Sequence, residues 1–157
     1  AIVMPGYYTE TGIITKQARE MGINKPILGP DGFSDETFVK LSDKKNATDV
    51  YFVSGYSSKV NLNDKAAAFI ENYKKEYNDV PNMFAALAYD SVYMVAEASK
   101  GASDSTEVAK NLGNLKNFEG VTGVMSIDGQ HNPIKSALMV RLENGAEESA
   151  TPVEVKD

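Results

Sequence analysis

Two short runs hold the residue types best suited to gripping a small charged molecule. They are Pro5-Gly6-Tyr7-Tyr8 and, after a helix-length interval, Gly29-Pro30-Asp31-Gly32. Asp31 offers a carboxylate, which is the charge-assisted partner that an ammonium group requires. Tyr7 adds an apolar ring face and a hydroxyl. The same residues have a plainer meaning. Pro-Asp-Gly is a turn signal in its own right, and strand-end aromatics such as Tyr7 and Tyr8 often only cover a core. Adjacent residues at a strand end point in opposite directions, so at most one of the two tyrosines would face a ligand.

Other chemistry finds less support. His131 is the single histidine and sits in the polar turn Gln130-His131-Asn132-Pro133, with no Ser or Cys nucleophile motif beside it. Asp90 lies within an apolar helix, where a carboxylate can act as a ligand or proton shuttle or can cap the N–H groups of a neighbouring element. Capping is the preferred reading, because a buried carboxylate needs donors. No Gly-x-Gly-x-x-Gly or Walker-type run occurs, and neither Asp31-Gly32-Phe33-Ser34-Asp35 nor Asp128-Gly129-Gln130 has calcium-loop spacing. No cofactor, metal site or enzymatic turnover is therefore expected. There are 22 acidic residues against 16 basic, for a net charge of −6, and the lysines are scattered, which speaks against a nucleic-acid partner. With no cysteine, disulfides and thiolate chemistry are excluded.

Each candidate loop needs a strand to deliver it. Ala1 to Met4 reads as a strand and is followed by a helix carrying Ile14, Ala18 and Met21 on one face, with Gly22 closing it. Pro26-Ile27-Leu28-Gly29 reads as a second, buried strand. Both loops then stand at the C-terminal ends of successive strands, the edge where open α/β sheets bind ligands. Ser34 is a candidate cap for a helix with Phe38, Val39 and Leu41, and Val50-Tyr51-Phe52-Val53 is a third strand. This alternation predicts a parallel α/β sheet. Ser54 to Asn63 reads as a boundary.

Beyond that boundary, Asn63 can cap a long helix with Phe69, Ile70, Tyr73 and Tyr77 on one stripe. Met83 to Ser99 reads as a helix apolar or small on nearly every side, which other structure should wrap. The longest apolar stretch, around Met83 to Val95, is interrupted by Asp90 and falls short of the roughly 20 residues that cross a bilayer. Asp104-Ser105-Thr106-Glu107 resembles a capping box for a shorter helix. Val121 to Ile127, Ala137 to Leu142 and Thr151 to Val155 are strand candidates, with Asp128-Gly129 and Asn144-Gly145 as turns. The chain opens in the body of a strand with no cap or turn before it, so it reads as beginning inside a longer polypeptide.

Several runs in order resemble the leucine/isoleucine/valine-binding family of type I substrate-binding proteins. They are Gly6 to Gly12, Lys16 to Gly22, Pro26 to Phe33, Ala88-Tyr89-Asp90-Ser91-Val92 and Phe118 to Gly123. The resemblance covers most of the chain. It implies the C-terminal portion of a two-lobe protein, an incomplete three-layer αβα parallel-sheet lobe. Residues 1–55 and 136–157 would form the second ligand-binding lobe, and 56–135 would cross into the first.

The resemblance further implies the solute-binding component of an ABC importer, holding a neutral or branched-chain amino acid between the lobes and delivering it to a membrane permease. It would work outside the cytoplasm, in the periplasm or lipid-anchored at the outer face of the cell membrane. Tyr7 matches the family's binding-site tyrosine, and Asp31 matches the acidic residue that pairs with the ligand's α-ammonium. Some close relatives carry Glu there, so Asp31 is shorter by one methylene. The other reading of the resemblance is a ligand-sensing domain of a receptor or regulator built on the same fold. Without the first half, the helix from Met83 to Ser99 would lose its cover and would need dimerisation, strand exchange or a rearranged fold.

Overall fold

The computed structural model describes residues 1–60 and 62–153. These divide into two compact units, one of Ala1–Lys59 with Ala137–Val153 and one running from Val60 to Ser136.

The first unit is built on a five-stranded sheet. In chain order its elements are β1 (Ile2–Val3), α1 (Tyr8–Glu20), β2 (Ile27–Gly29), α2 (Glu36–Ser42), β3 (Val50–Ser54), and, after the second unit, β7 (Ala137–Glu143) and β8 (Ala146–Val153). The spatial order is β1-β2-β3-β7-β8. The first three strands are parallel, as the alternation predicts, whereas β7 and β8 join antiparallel. Period-two alternation explains the core. Val50, Phe52 and Ser54 on β3 face Leu142, Val140 and Leu138 on β7, and all six are buried. Phe33 and Phe38 stack at 4.7 Å over the same face, and Phe33 lies 6.4 Å from the Phe52 ring. The opposite face carries Val3 and Val53, both exposed.

Local chemistry sets the joints. Asp35, rather than the expected Ser34, caps α2. Its backbone is extended and its side chain accepts from the Thr37 amide at 2.9 Å. A glycine at position 12 lets α1 lie close to α2, because a Cβ there would stand 3.0 Å from the Phe38 carbonyl oxygen. The contact face of α1 is therefore Thr11, Gly12 and Thr15, while Ile14 and Met21 are exposed. Asn144 and Gly145 both take positive φ, 50° and 74°, and make the tight β7–β8 turn. The last expected strand extends further upstream than anticipated, and its end at Val155 lies outside the described residues.

The second unit holds α3 (Asp64–Tyr77), α4 (Met83–Ala98), α5 (Ser105–Gly113) and a small antiparallel sheet of β4 (Phe118–Gly120), β5 (Gly123–Ile127) and β6 (Pro133–Ile134). Side-chain oxygens satisfy the open amides of each helix start. Asn63 accepts from Ala66 and Asn82 from Ala85, both at 2.9 Å. Asp104 accepts from Thr106 and Glu107, and Glu107 reaches back to the Ser103 amide, close to the expected capping box. The rings of Tyr73 and Tyr89 flank Phe69 at 5.8 and 4.7 Å, with Tyr77 and Tyr93 extending the row on α3 and α4. Between the two helices lies an open cleft of about 820 Å³. The described residues of this unit do not form the expected cover for α4. Phe84, Tyr89, Tyr93 and Val95 are exposed, and Val92 is 67% exposed.

Candidate functional site

In the first unit, parallel pairing of Ile2 with Ile27 and Val3 with Leu28 brings the ends of β1 and β2 side by side. The loops that follow meet. Gly32 is buried against the Gly6–Tyr7 backbone so tightly that a Cβ on it would lie 2.7 Å from the Gly6 oxygen and 3.1 Å from Cδ1 of Tyr7. Asp31, one residue before, is exposed at the same edge.

Each loop is held by its own hydrogen bonds. Tyr7 is the N-cap residue of α1, with extended backbone, and its carbonyl accepts from the Thr11 amide at 3.1 Å and the Thr11 hydroxyl at 2.7 Å. Its side chain is 65% exposed, whereas Tyr8 is half-buried. The two tyrosines thus differ in environment, and only the Tyr7 ring stands open. Asp31, Gly32 and Phe33 form a 3-10 turn after Pro30, closed by Phe33 N–H donating to the Pro30 oxygen and Ser34 N–H to the Asp31 oxygen. Asp31 is thus exposed while Gly32 and Phe33 after it are buried, and Tyr7, on the loop that Gly32 touches, is exposed as well. Sequence reasoning missed the closeness of Gly32 to Gly6 and the burial of Phe33, since neither leaves a motif. Ser34, read from the sequence as a helix cap, instead has its hydroxyl 3.4 Å from that of Ser54 at the end of β3.

The candidates in the second unit have other surroundings. Asp90 is 2% exposed and accepts from the amides of Val121 at 2.7 Å and Thr122 at 2.9 Å, and from the Thr122 hydroxyl at 2.7 Å. This is the capping role preferred from the sequence. Gly120 leaves the space for that carboxylate, because a Cβ would fall 2.4 Å from Oδ2. Lys135 donates to Thr122 Oγ1 at 2.8 Å. Burial pulls its pKa below the ordinary lysine value, and the Asp90 charge works in the opposite direction. His131 is exposed, with φ of 67°, in the turn organised by Asp128, whose Oδ1 accepts from the amides of Gln130 and Asn132. Those backbone donors, Asn132 first, hold the Asp128 carboxyl below its ordinary value. Among the described residues no group of three or more His, Cys, Asp or Glu side chains could hold a metal, and no helix is long and apolar enough to cross a membrane.

Similarity to known proteins agrees with this architecture. Among solved structures, the branched-chain amino acid transporter substrate binding protein LivJ of Streptococcus pneumoniae, in complex with isoleucine, matches with a TM-score of 0.92 and 51% identity. The match covers 98% of this chain and 44% of that one. The leucine binding protein LivK of Thermotoga maritima matches with a TM-score of 0.91 and 28% identity, again over 98% of this chain and 44% of that one. The curated leucine-, isoleucine-, valine-, threonine- and alanine-binding protein of Pseudomonas aeruginosa is 24% identical over 125 residues, which is 78% of this chain and 32% of its own length. The chain thus spans less than half the length of these relatives. A family model described as periplasmic binding protein matches residues 2–147. With residues 2–147 matched and three parallel strands whose ends lie on one edge of the sheet, this chain belongs to the periplasmic binding protein family.

Proposed function

We propose that this chain is the C-terminal portion of an amino-acid-binding protein that serves an ABC importer, and that it holds the ammonium end of the ligand. The observation that carries the proposal is the interlocked edge at Gly6-Tyr7 and Asp31-Gly32, which puts an exposed carboxylate and an exposed phenol ring on adjoining loops. The carboxylate supplies charge-assisted acceptors for an α-ammonium, and the ring of Tyr7 supplies an apolar surface for an aliphatic side chain. The isoleucine complex of the 51% identical LivJ supports a branched-chain or other neutral amino acid as the substrate.

The ligand's carboxylate is then held by the part of the first lobe that the longer relatives have room for and this chain does not span. Residues 1–55 and 136–157 belong to the second lobe and 56–135 reach into the first. The division into compact units near Lys59 and Ala137 supports that assignment. The open faces of α3 and α4 are covered by the remainder of the first lobe, which accounts for apolar residues such as Val92 and Tyr93 being exposed here. Closure of the lobes traps the amino acid without making or breaking a bond. A membrane permease at the outer face of the cell membrane receives it.

Calorimetric titration of the full-length protein with the twenty amino acids tests this reading. Neutral aliphatic amino acids should bind, and an Asp31→Ala variant should lose affinity by about tenfold or more, the scale of a lost charge-assisted hydrogen bond. Equal affinity in the variant overturns the role of Asp31. The chain by itself should bind weakly or not at all, because the carboxylate-holding lobe is missing.

A further inference from the structure

We propose that Phe33 is the residue that positions Asp31, by locking the 3-10 turn to the end of β2 over a glycine. The inference rests on the ammonium-holding role of Asp31 proposed above. Phe33 is 1% exposed although it lies only two residues from the exposed Asp31. Its ring stands directly over Gly29, the last residue of β2. A Cβ at Gly29 would fall 2.4 to 2.5 Å from Cε1, Cζ and Cε2 of that ring, well inside any contact distance. Gly29 therefore leaves a slot that the ring fills.

The ring is fixed from two more sides. It stacks on Phe38 of α2 at 4.7 Å with 22° between the planes, and it lies 6.4 Å from Phe52 of β3. Backbone hydrogen bonds carry that rigidity to Asp31, since Ser34 N–H donates to the Asp31 oxygen at 2.9 Å and Phe33 N–H to the Pro30 oxygen at 3.2 Å. Gly32 closes the other side against Gly6 and Tyr7. A short carboxylate side chain has little reach of its own. Its oxygens stand where the backbone puts them, and the backbone of this turn is set by where the Phe33 ring lies.

The pair Gly29 and Phe33 gives a test with built-in rescue. In the full-length binding protein, Gly29→Ala drives a methyl group into the ring, displaces the turn and should weaken the amino-acid ligand by about tenfold. Phe33→Leu, which empties the slot, should weaken it by a similar factor. The double variant, in which the methyl occupies the space the ring has left, should recover to within about threefold of the parent. Each protein is titrated with isoleucine and with its des-amino analogue, 3-methylpentanoic acid, after circular dichroism has confirmed folding.

Positioning of Asp31 acts only on the ammonium, so the single substitutions should narrow the preference for isoleucine over the analogue. A merely structural loss would weaken both ligands alike, and that result would overturn the proposal. So would singles that bind isoleucine as the parent does while Asp31→Ala does not. If Asp31→Ala itself leaves isoleucine binding intact, the fault lies instead with the ammonium role on which the inference rests.

Discussion

Replacing Asp90 by alanine should destabilise the second unit by about 3–5 kcal/mol, the range found when one partner of a buried charged network is removed. The figure can be built from the contacts. Two backbone amides, Val121 at 2.7 Å and Thr122 at 2.9 Å, lose their acceptor, and both are buried in a turn that offers no substitute. A buried donor left unpaired costs about 1–3 kcal/mol. The Thr122 hydroxyl, 2.7 Å from the same carboxylate, can rotate and adds less. Lys135 loses the negative charge that offsets part of the cost of burying its ammonium. Asp90→Asn keeps one acceptor oxygen and should cost roughly half as much. Urea denaturation followed by far-ultraviolet circular dichroism gives the free energies, with a lowered midpoint at unchanged slope. Amide hydrogen exchange locates the effect, with the largest loss of protection at Val121 and Thr122. A cost below about 1 kcal/mol for Asp90→Ala, a small fraction of that range, would refute the reasoning.

Two further substitutions read other parts of the chain. Burial, helped by the charge of Glu147, pushes the pKa of Tyr56 up to about 12 from an ordinary value of 10. The folded state therefore holds this proton more tightly than the unfolded chain, so its contribution is fully present below pH 10 and is lost as pH rises from 10 towards 12. Tyr56→Phe should flatten that part of the stability profile in alkaline denaturation, and an unchanged slope would contradict it. Asn63→Ala removes the cap of α3 together with the Nδ2 donation to the Gly120 oxygen at 2.9 Å. It should cost about 1–2 kcal/mol by urea titration, and no measurable loss would contradict the capping role.

Much of this was legible because it depends on short-range chemistry. Asn63 and Asp104 are side chains that can accept from amides two or three residues ahead, and they cap their helices as read. Asn144-Gly145 tolerates two successive positive φ angles and turns the chain as read. The loops bearing Tyr7 and Asp31 come together because parallel strands deliver their exits to one edge. What escaped detection depends on the path of the backbone rather than on residue type. Asp35 displaces Ser34 as a cap by a difference of one residue in where the backbone is extended. The face of α1 that packs is decided by Gly12, which admits the backbone of α2, rather than by its isoleucines. The stacking of Phe33 over Gly29 needs the third dimension altogether, since a glycine before Pro-Asp-Gly reads only as part of a turn. The open face of α4 is the inverse case. Its apolar composition announces a cover, and the described residues do not provide one.

The most direct measurement is a crystal structure of the full-length protein with isoleucine bound. The ligand nitrogen should lie within about 2.7–3.2 Å of an Asp31 carboxylate oxygen, with the Tyr7 ring against the aliphatic side chain. An ammonium held by other groups, with Asp31 turned to solvent, would contradict the account.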